Sequence, residues 1–223
     1  MSRKCPLVSD QIYHIFSRSI ADFKIFNNDW DYQRMLMLLY YFQIKETPNK
    51  FSYFIRNKGV ETLGFYRFFT SLTKYQQKLN QIIAYCLMPT HIHLVIKQID
   101  NHGISIYLNK VLNSYSRYFN TCHKRKGPLW EQRFKNVLVE NDEQLVHLTR
   151  YIHLNPVSAS LVKKPEHWKF SSYLEYLKNK NQFKLCSYED LLDISPKRYK
   201  KFVKDHINYQ KELSKIKKIS IDS

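Results

Sequence analysis

The segment QIIAYCLMPTHIHLVIKQ, residues 81–98, constrains the fold more than any other. It is apolar almost throughout, and Pro89 near its middle has no amide proton to give to a ladder. It reads as two apolar strands separated by a short Met-Pro-Thr turn, or as one long strand bent there. Side chains on a strand alternate faces, so His91 and His93 share one face while Ile92, Leu94 and Ile96 share the other. Two imidazoles on one strand face either meet a polar surface or converge on something that needs two nitrogen ligands.

The flanking segments suggest how such strands are covered. Residues 11–20 alternate well enough for a first strand, with Ile12, His14 and Phe16 on one face. Asn28 or Asp29 stands as a helix cap ahead of WDYQRMLMLLYYFQI, which suits a long, mostly buried helix. Residues 46–79 open with a loop-like KETPNKFS and continue as one or two helices, an insertion without evident chemistry. From Gly103, apolar residues recur at helical spacing through Phe119. Gly127-Pro128 then breaks the chain before a strand at about 134–139. Asn141 is placed to cap the next helix, with Gln144 completing a capping box, and Pro156 is expected to end that helix by Asn155. This order predicts an α+β fold, an antiparallel sheet with helices on one side, followed by a basic helical extension that frays beyond residue 210.

Charge narrows the partner. The 36 Lys+Arg outnumber 19 Asp+Glu, for a net charge of +17 and a pI near 9.6. A surplus of that size points to a polyanion, most often nucleic acid, although a lysine-rich proteome produces basic proteins too. Cys5, Cys86, Cys122 and Cys186 are scattered without paired spacing, which argues against a zinc knuckle or a disulfide framework. The first residues carry no apolar signal core, and no window approaches the ~20 apolar residues of a membrane span. A reducing cytoplasm is the expected setting.

The helix after Asn141 supplies what the histidine strand lacks. Tyr151 and Asn155 lie four residues apart and project from one face, beside an apolar stripe of Leu145, Leu148 and Ile152. An amide oxygen with two imidazoles makes an open, mixed N/O site, which suits Mg²⁺ or Mn²⁺ near phosphate better than structural zinc. A tyrosine beside such a cation, in a basic protein, suggests attack of the phenolic oxygen on a phosphodiester, with a free 3′-hydroxyl as leaving group. The phenol titrates near pH 10 when unperturbed, so its proton needs help to leave, and His147 at i−4 is one candidate. Taken singly, each residue has a plainer explanation: polar strand contacts, an amphipathic core tyrosine, a helix-terminal asparagine.

Together, YCLMPTHIHLVI, SYSRYFNTCHKRKGPLWEQRFKNVLVENDEQL and RYIHLNPVSASLVKKPEHWKFSSY resemble the HUH single-strand transposases with one catalytic tyrosine. The nearest group is the REP-associated tyrosine transposases, relatives of the insertion-sequence-200-like enzymes. The resemblance spans roughly residues 8–177, with 46–79 longer than the usual pattern. It implies that His91 and His93 are the paired metal ligands, Asn155 the third ligand and Tyr151 the nucleophile. It further implies a ferredoxin-like β-α-β-β-α-β core over residues 1–156 and a DNA-binding extension over 157–223. The implied substrate is single-stranded DNA with a hairpin or palindromic end, cut to leave a 5′-phosphotyrosine. The implied oligomeric state is a monomer rather than the tyrosine-sharing homodimer of insertion-sequence-type relatives. Arg117, Arg133, Lys135, Arg150, Lys163 and Lys164 lie in the matching segments as candidate phosphate contacts, and Tyr118, Trp130 and Trp168 as candidate stacking platforms or core aromatics. Two rivals share these features: a domesticated DNA-binding protein that no longer transposes, and a replication initiator or relaxase-type nickase.

Overall fold

The structure is a computed structural model that describes residues 6–131, 133–178 and 184–210. Its centre is a sheet of four strands: β1 (Ile12–Arg18), β2 (Asn80–Met88), β3 (His91–Gln98) and β4 (Lys135–Val139). All neighbours are antiparallel, in the order β2-β3-β1-β4. The chain folds as α+β, with the ferredoxin-like strand order that the resemblance implied. The apolar stretch at 81–98 is a hairpin, in which Met88 pairs with His91 across Pro89 and Thr90. The loop after β1 takes up the carbonyls that this turn leaves open. Ser19 N–H donates to Thr90 O (2.9 Å) and Ile25 N–H to Pro89 O (2.9 Å). Pairing β1 against β3 sets Phe16 opposite His93 and Arg18 opposite His91, which gathers polar and aromatic groups on the imidazole face. On the other face Tyr13, Ile15, Ile92, Leu94 and Ile96 are fully buried.

Helix α1 (Asp29–Tyr41) begins at Asn28, whose side chain accepts from Asp31 N–H at 3.1 Å. Asp31 reaches back to Asn27 N–H (2.8 Å), and its other oxygen accepts from Tyr118 Oη–H at 3.0 Å, so this carboxylate is buried yet satisfied. In the stretch at 46–79, a short α2 (Phe51–Phe54) begins inside the segment expected to be loop, and α3 (Lys58–Leu63) and α4 (Phe65–Thr73) are the two helices of its later part. Their rings cluster on Tyr41, with Phe51, Phe54 and Phe69 centroids 4.8–5.1 Å away, so the insertion is fastened to α1 by aromatic packing. Helix α5 (Gly103–Cys122) starts where a Cβ on Gly103 would sit 2.1 Å from Leu79 O, an approach only glycine allows.

Helix α6 (Asp142–Ser158) is capped by Asn141, which accepts from Gln144 N–H at 2.8 Å. Gln144 returns its oxygen to Glu140 N–H rather than to the capping residue. The helix does not stop at Asn155. It carries Pro156 inside its last turn and ends at Ser158. A proline there forfeits a single intrahelical bond, and burial of Pro156 and Val157 offsets that loss. The following segment runs along the outer edge of β2. Leu87 N–H donates to Phe170 O, Ser172 N–H to Tyr85 O and Ser187 N–H to Ile82 O, at 2.9–3.0 Å, so the edge is paired rather than open. Short α7 (Tyr173–Tyr176) and α8 (Pro196–Lys204) complete this layer, α8 packing on α6. Cys86, Cys122 and Cys186 are free thiols; Cys5 and the tail past residue 210 lie outside the described residues. Among the described residues no helix is long and apolar enough to cross a membrane.

Candidate functional site

The tyrosine helix lies over the imidazole face of the sheet. Tyr151 is 39% exposed, although Ile152 and Leu145 beside it are buried, so its ring is not a core residue. Its ring centroid stands 6.2 Å from that of His93 and 6.4 Å from that of His14, edge-on to both. One turn further on, Asn155 is buried, and its amide nitrogen has no hydrogen-bond partner among the described residues. These groups, with His91 and Arg18, line one open cleft of about 530 Å³. A second cleft of about 240 Å³ shares Phe16 and Arg18 with it and leads to Arg133 and Lys135.

Burial sets the protonation of the cleft. It lowers the pKa values of His14 and His91 to about 4, His91 helped by the Arg18 guanidinium, and holds that of His93 well below the usual imidazole range. All three imidazoles are therefore neutral near pH 7, the form in which a ring nitrogen offers a lone pair. Burial also raises the Tyr151 phenol above its usual value, so it is protonated near neutral pH. The Nδ1 atoms of both strand histidines are occupied: His91 Nδ1 lies 2.9 Å from Thr90 Oγ1 and His93 Nδ1 lies 3.1 Å from His14 Nε2.

The donor set fits a divalent cation. Two neutral imidazoles and a buried amide with an unpartnered atom are what a mixed N/O site requires, and an amide flip exchanges the oxygen and nitrogen of Asn155. Among the described residues no three His, Cys, Asp or Glu side chains converge as a metal-binding group, and Asn155 is the further polar side chain beside the two histidines in the cleft.

The model of the IS200-like transposase family matches residues 65–155. Over residues 65–155 the chain is thus similar to the IS200-like transposases. That segment contains His91, His93, Tyr151 and, as its last residue, Asn155. A Haemophilus influenzae protein that carries the name REP-associated tyrosine transposase is 32% identical over 103 residues, which are 42% of this chain and 58% of that relative. The match thus spans little more than half of the relative's length. A solved REP-associated tyrosine transposase, bound to a REP hairpin, superposes with a TM-score of 0.52 at 14% identity. It covers 88% of this chain and 96% of that one, a likeness of fold.

Outside this cleft, the other expected residues divide. Arg117, Arg133, Lys135, Lys163 and Lys164 are exposed. Arg150 departs from expectation: it is 9% exposed, its guanidinium stacks 4.1 Å from the Phe202 ring centroid, and its Nη2 faces His147 Nδ1 at 3.0 Å. That places its guanidinium between α6 and α8 and turns His147 toward α8 as well. The three candidate stacking aromatics are structural in position. Tyr118 binds Asp31, Trp130 Nε1–H donates to Leu112 O (3.3 Å) and Trp168 Nε1–H to Leu87 O (3.0 Å). Sequence reasoning missed His14 and Arg18 as members of the cleft. Their signal was present in the period of β1, which puts both on the face that meets His91 and His93.

Proposed function

We propose that this chain is a metal-dependent, single-stranded DNA endonuclease and strand transferase that works through a 5′-phosphotyrosine at Tyr151. The observation that carries the proposal is the placement of an exposed Tyr151 ring against His93, with Asn155 one turn away, in one cleft that Arg18 also lines. His91, His93 and Asn155 would hold Mg²⁺ or Mn²⁺, and the bound cation would polarise the scissile phosphate and neutralise its developing charge.

The Tyr151 oxygen attacks phosphorus, the bond to the 3′ oxygen breaks, and the 5′ phosphate remains esterified to the protein. The phenolic proton passes to water in the open cleft and the departing 3′ oxygen takes one up, so protons balance. A 3′-hydroxyl from a second strand reverses the step without an external energy source. Arg18, beside His91 in the cleft, and Arg133 and Lys135 in the adjoining one, position phosphates of the strand that enters. Arg117, Lys163 and Lys164 extend this positive surface. The solved neighbour bound to a REP hairpin supports a hairpin-bearing DNA as substrate. The monomer is taken as the working form.

The test is a denaturing-gel assay with labelled single-stranded hairpin oligonucleotides from the DNA flanking the gene, with Mg²⁺ or Mn²⁺ added. The expected product is a protein-linked label that needs the metal and disappears in Tyr151→Phe, with hairpin binding retained. DNA that is bound but never cut, across several flanking sequences and both metals, would refute the nuclease and favour a domesticated binding protein.

A further inference from the structure

His14 lies on β1, upstream of the segment that matches the transposase family. Yet its Nε2 approaches His93 Nδ1 to 3.1 Å in a buried part of the cleft. The register explains the encounter. His14 is paired with Val95, so it sits diagonal to His93 on the same sheet face.

Ring geometry says what kind of contact this is. The two imidazoles are within 20° of coplanar and their centroids are 5.3 Å apart. That separation is close to the largest that a 3.1 Å contact between ring nitrogens permits, so the two nitrogens face each other head-on. Shared ligation of one ion would turn both lone pairs toward a third point and draw the centroids closer. A head-on approach is that of an N–H···N hydrogen bond, in which one ring donates and the other accepts. The failure of three His, Cys, Asp or Glu side chains to converge among the described residues agrees with this.

The direction of the bond follows from chemistry. A neutral His93 that offers Nε2 to a cation carries its proton on Nδ1 and must donate through it, which makes His14 Nε2 the acceptor and leaves the His14 proton on Nδ1. His91 is arranged alike, with its Nδ1 beside the Thr90 hydroxyl. We infer that His14 is a positioning residue of this site: its Nε2 accepts the Nδ1–H of His93 and holds that ring in the tautomer and orientation that present Nε2 to the divalent cation. The inference rests on the metal site proposed above. Partners of this kind commonly change metal affinity by roughly 10–100-fold when removed.

The experiment measures Mn²⁺ binding without DNA, by the electron paramagnetic resonance signal of the free ion. The wild type is compared with His14→Phe, which keeps a ring but no acceptor, and His14→Gln, whose amide oxygen reaches about as far as Nε2. We expect Mn²⁺ affinity about 10–100-fold weaker in His14→Phe, largely restored in His14→Gln, with metal-free hairpin binding unchanged in both. Pulsed measurements should count two imidazole nitrogens on the ion in the wild type and in both variants. Long-range ¹H–¹⁵N spectra of the metal-free wild type, which need no variant to fold, should show both rings protonated on Nδ1. Unchanged affinity in His14→Phe, a third bound imidazole in the wild type, or His93 protonated on Nε2 would each overturn the inference while leaving the metal site standing. Mn²⁺ retained at full affinity by His91→Ala would overturn the metal site itself, and this inference with it.

Discussion

Glu175 is a buried acid whose ionisation should be visible in the stability of the whole chain. It is 5% exposed on α7, and its Oε2 accepts from Leu185 N–H (3.0 Å) and Cys186 N–H (2.8 Å), which fastens the segment that covers the β2 edge. Its Oε1 is buried as well, and the Tyr85 hydroxyl and Cys186 thiol also interact with the carboxyl group. Burial pushes its pKa up from 4.5 to about 7, and the backbone donors with the Tyr85 and Cys186 side chains pull it only part of the way back. A folded pKa above the unfolded one means that the native state binds the proton more tightly. This contribution is therefore complete below about pH 4.5 and is lost as pH rises through about 7. At about 1.4 kcal/mol per pH unit, the loss is about 3 kcal/mol.

The buried histidines work in the opposite sense. The His153 pKa is lowered by burial to about 3, so its contribution is complete above about pH 6.5 and falls away in acid. The raw stability curve thus mixes both trends, and the variant that separates them is Glu175→Gln. Glutamine keeps an oxygen for the two backbone donors and cannot ionise. Urea denaturation of both proteins between about pH 4.5 and about pH 8 should show wild type losing about 3 kcal/mol relative to Glu175→Gln as pH rises. A difference that stays flat, or that grows in favour of wild type with rising pH, would refute the reasoning.

Three further outcomes are expected. His153 is fully buried between Tyr199 Oη (2.6 Å) and Ser172 Oγ (2.7 Å), joining α6 to the C-terminal layer, so His153→Ala should cost about 3 kcal/mol by denaturant unfolding. Arg133→Ala and Lys135→Ala, on the cleft that adjoins Tyr151, should each lower the slope of log affinity against log salt for hairpin DNA by about 1; an unchanged slope would take that cleft off the DNA path. Asn155→Ala should weaken Mn²⁺ binding by about tenfold or more with hairpin binding intact, and calorimetry showing full affinity would remove the amide from the ligand set.

Most of the site was legible in the chain because it obeys local periods. Two histidines one residue apart on a strand share a face, and Tyr151 and Asn155 share one because four residues make about one helical turn. The helix caps at Asn28 and Asn141 were legible for the same reason, since a capping side chain acts within three residues of itself. The end of α6 was not. The conformational bias of Asn155 ahead of Pro156 is local, but whether it wins depends on how much apolar surface the last turn buries, which is a tertiary quantity. Arg150 shows the same limit: nothing nearby in sequence announces that Phe202 lies beneath its guanidinium.

By itself, then, the sequence determined the class of fold, the charge that selects a polyanion, and the pairs of residues that each element presents together. Tertiary structure decided which of those elements meet. The pairing of β1 against β3 brought His14 and Arg18 into the cleft, and the docking of α6 over the imidazole face set Tyr151 beside His93. Such encounters join residues 79 positions apart, as for His14 and His93, and follow from register and packing between elements. Periodicity says which face a side chain occupies, but only the folded sheet says what stands opposite.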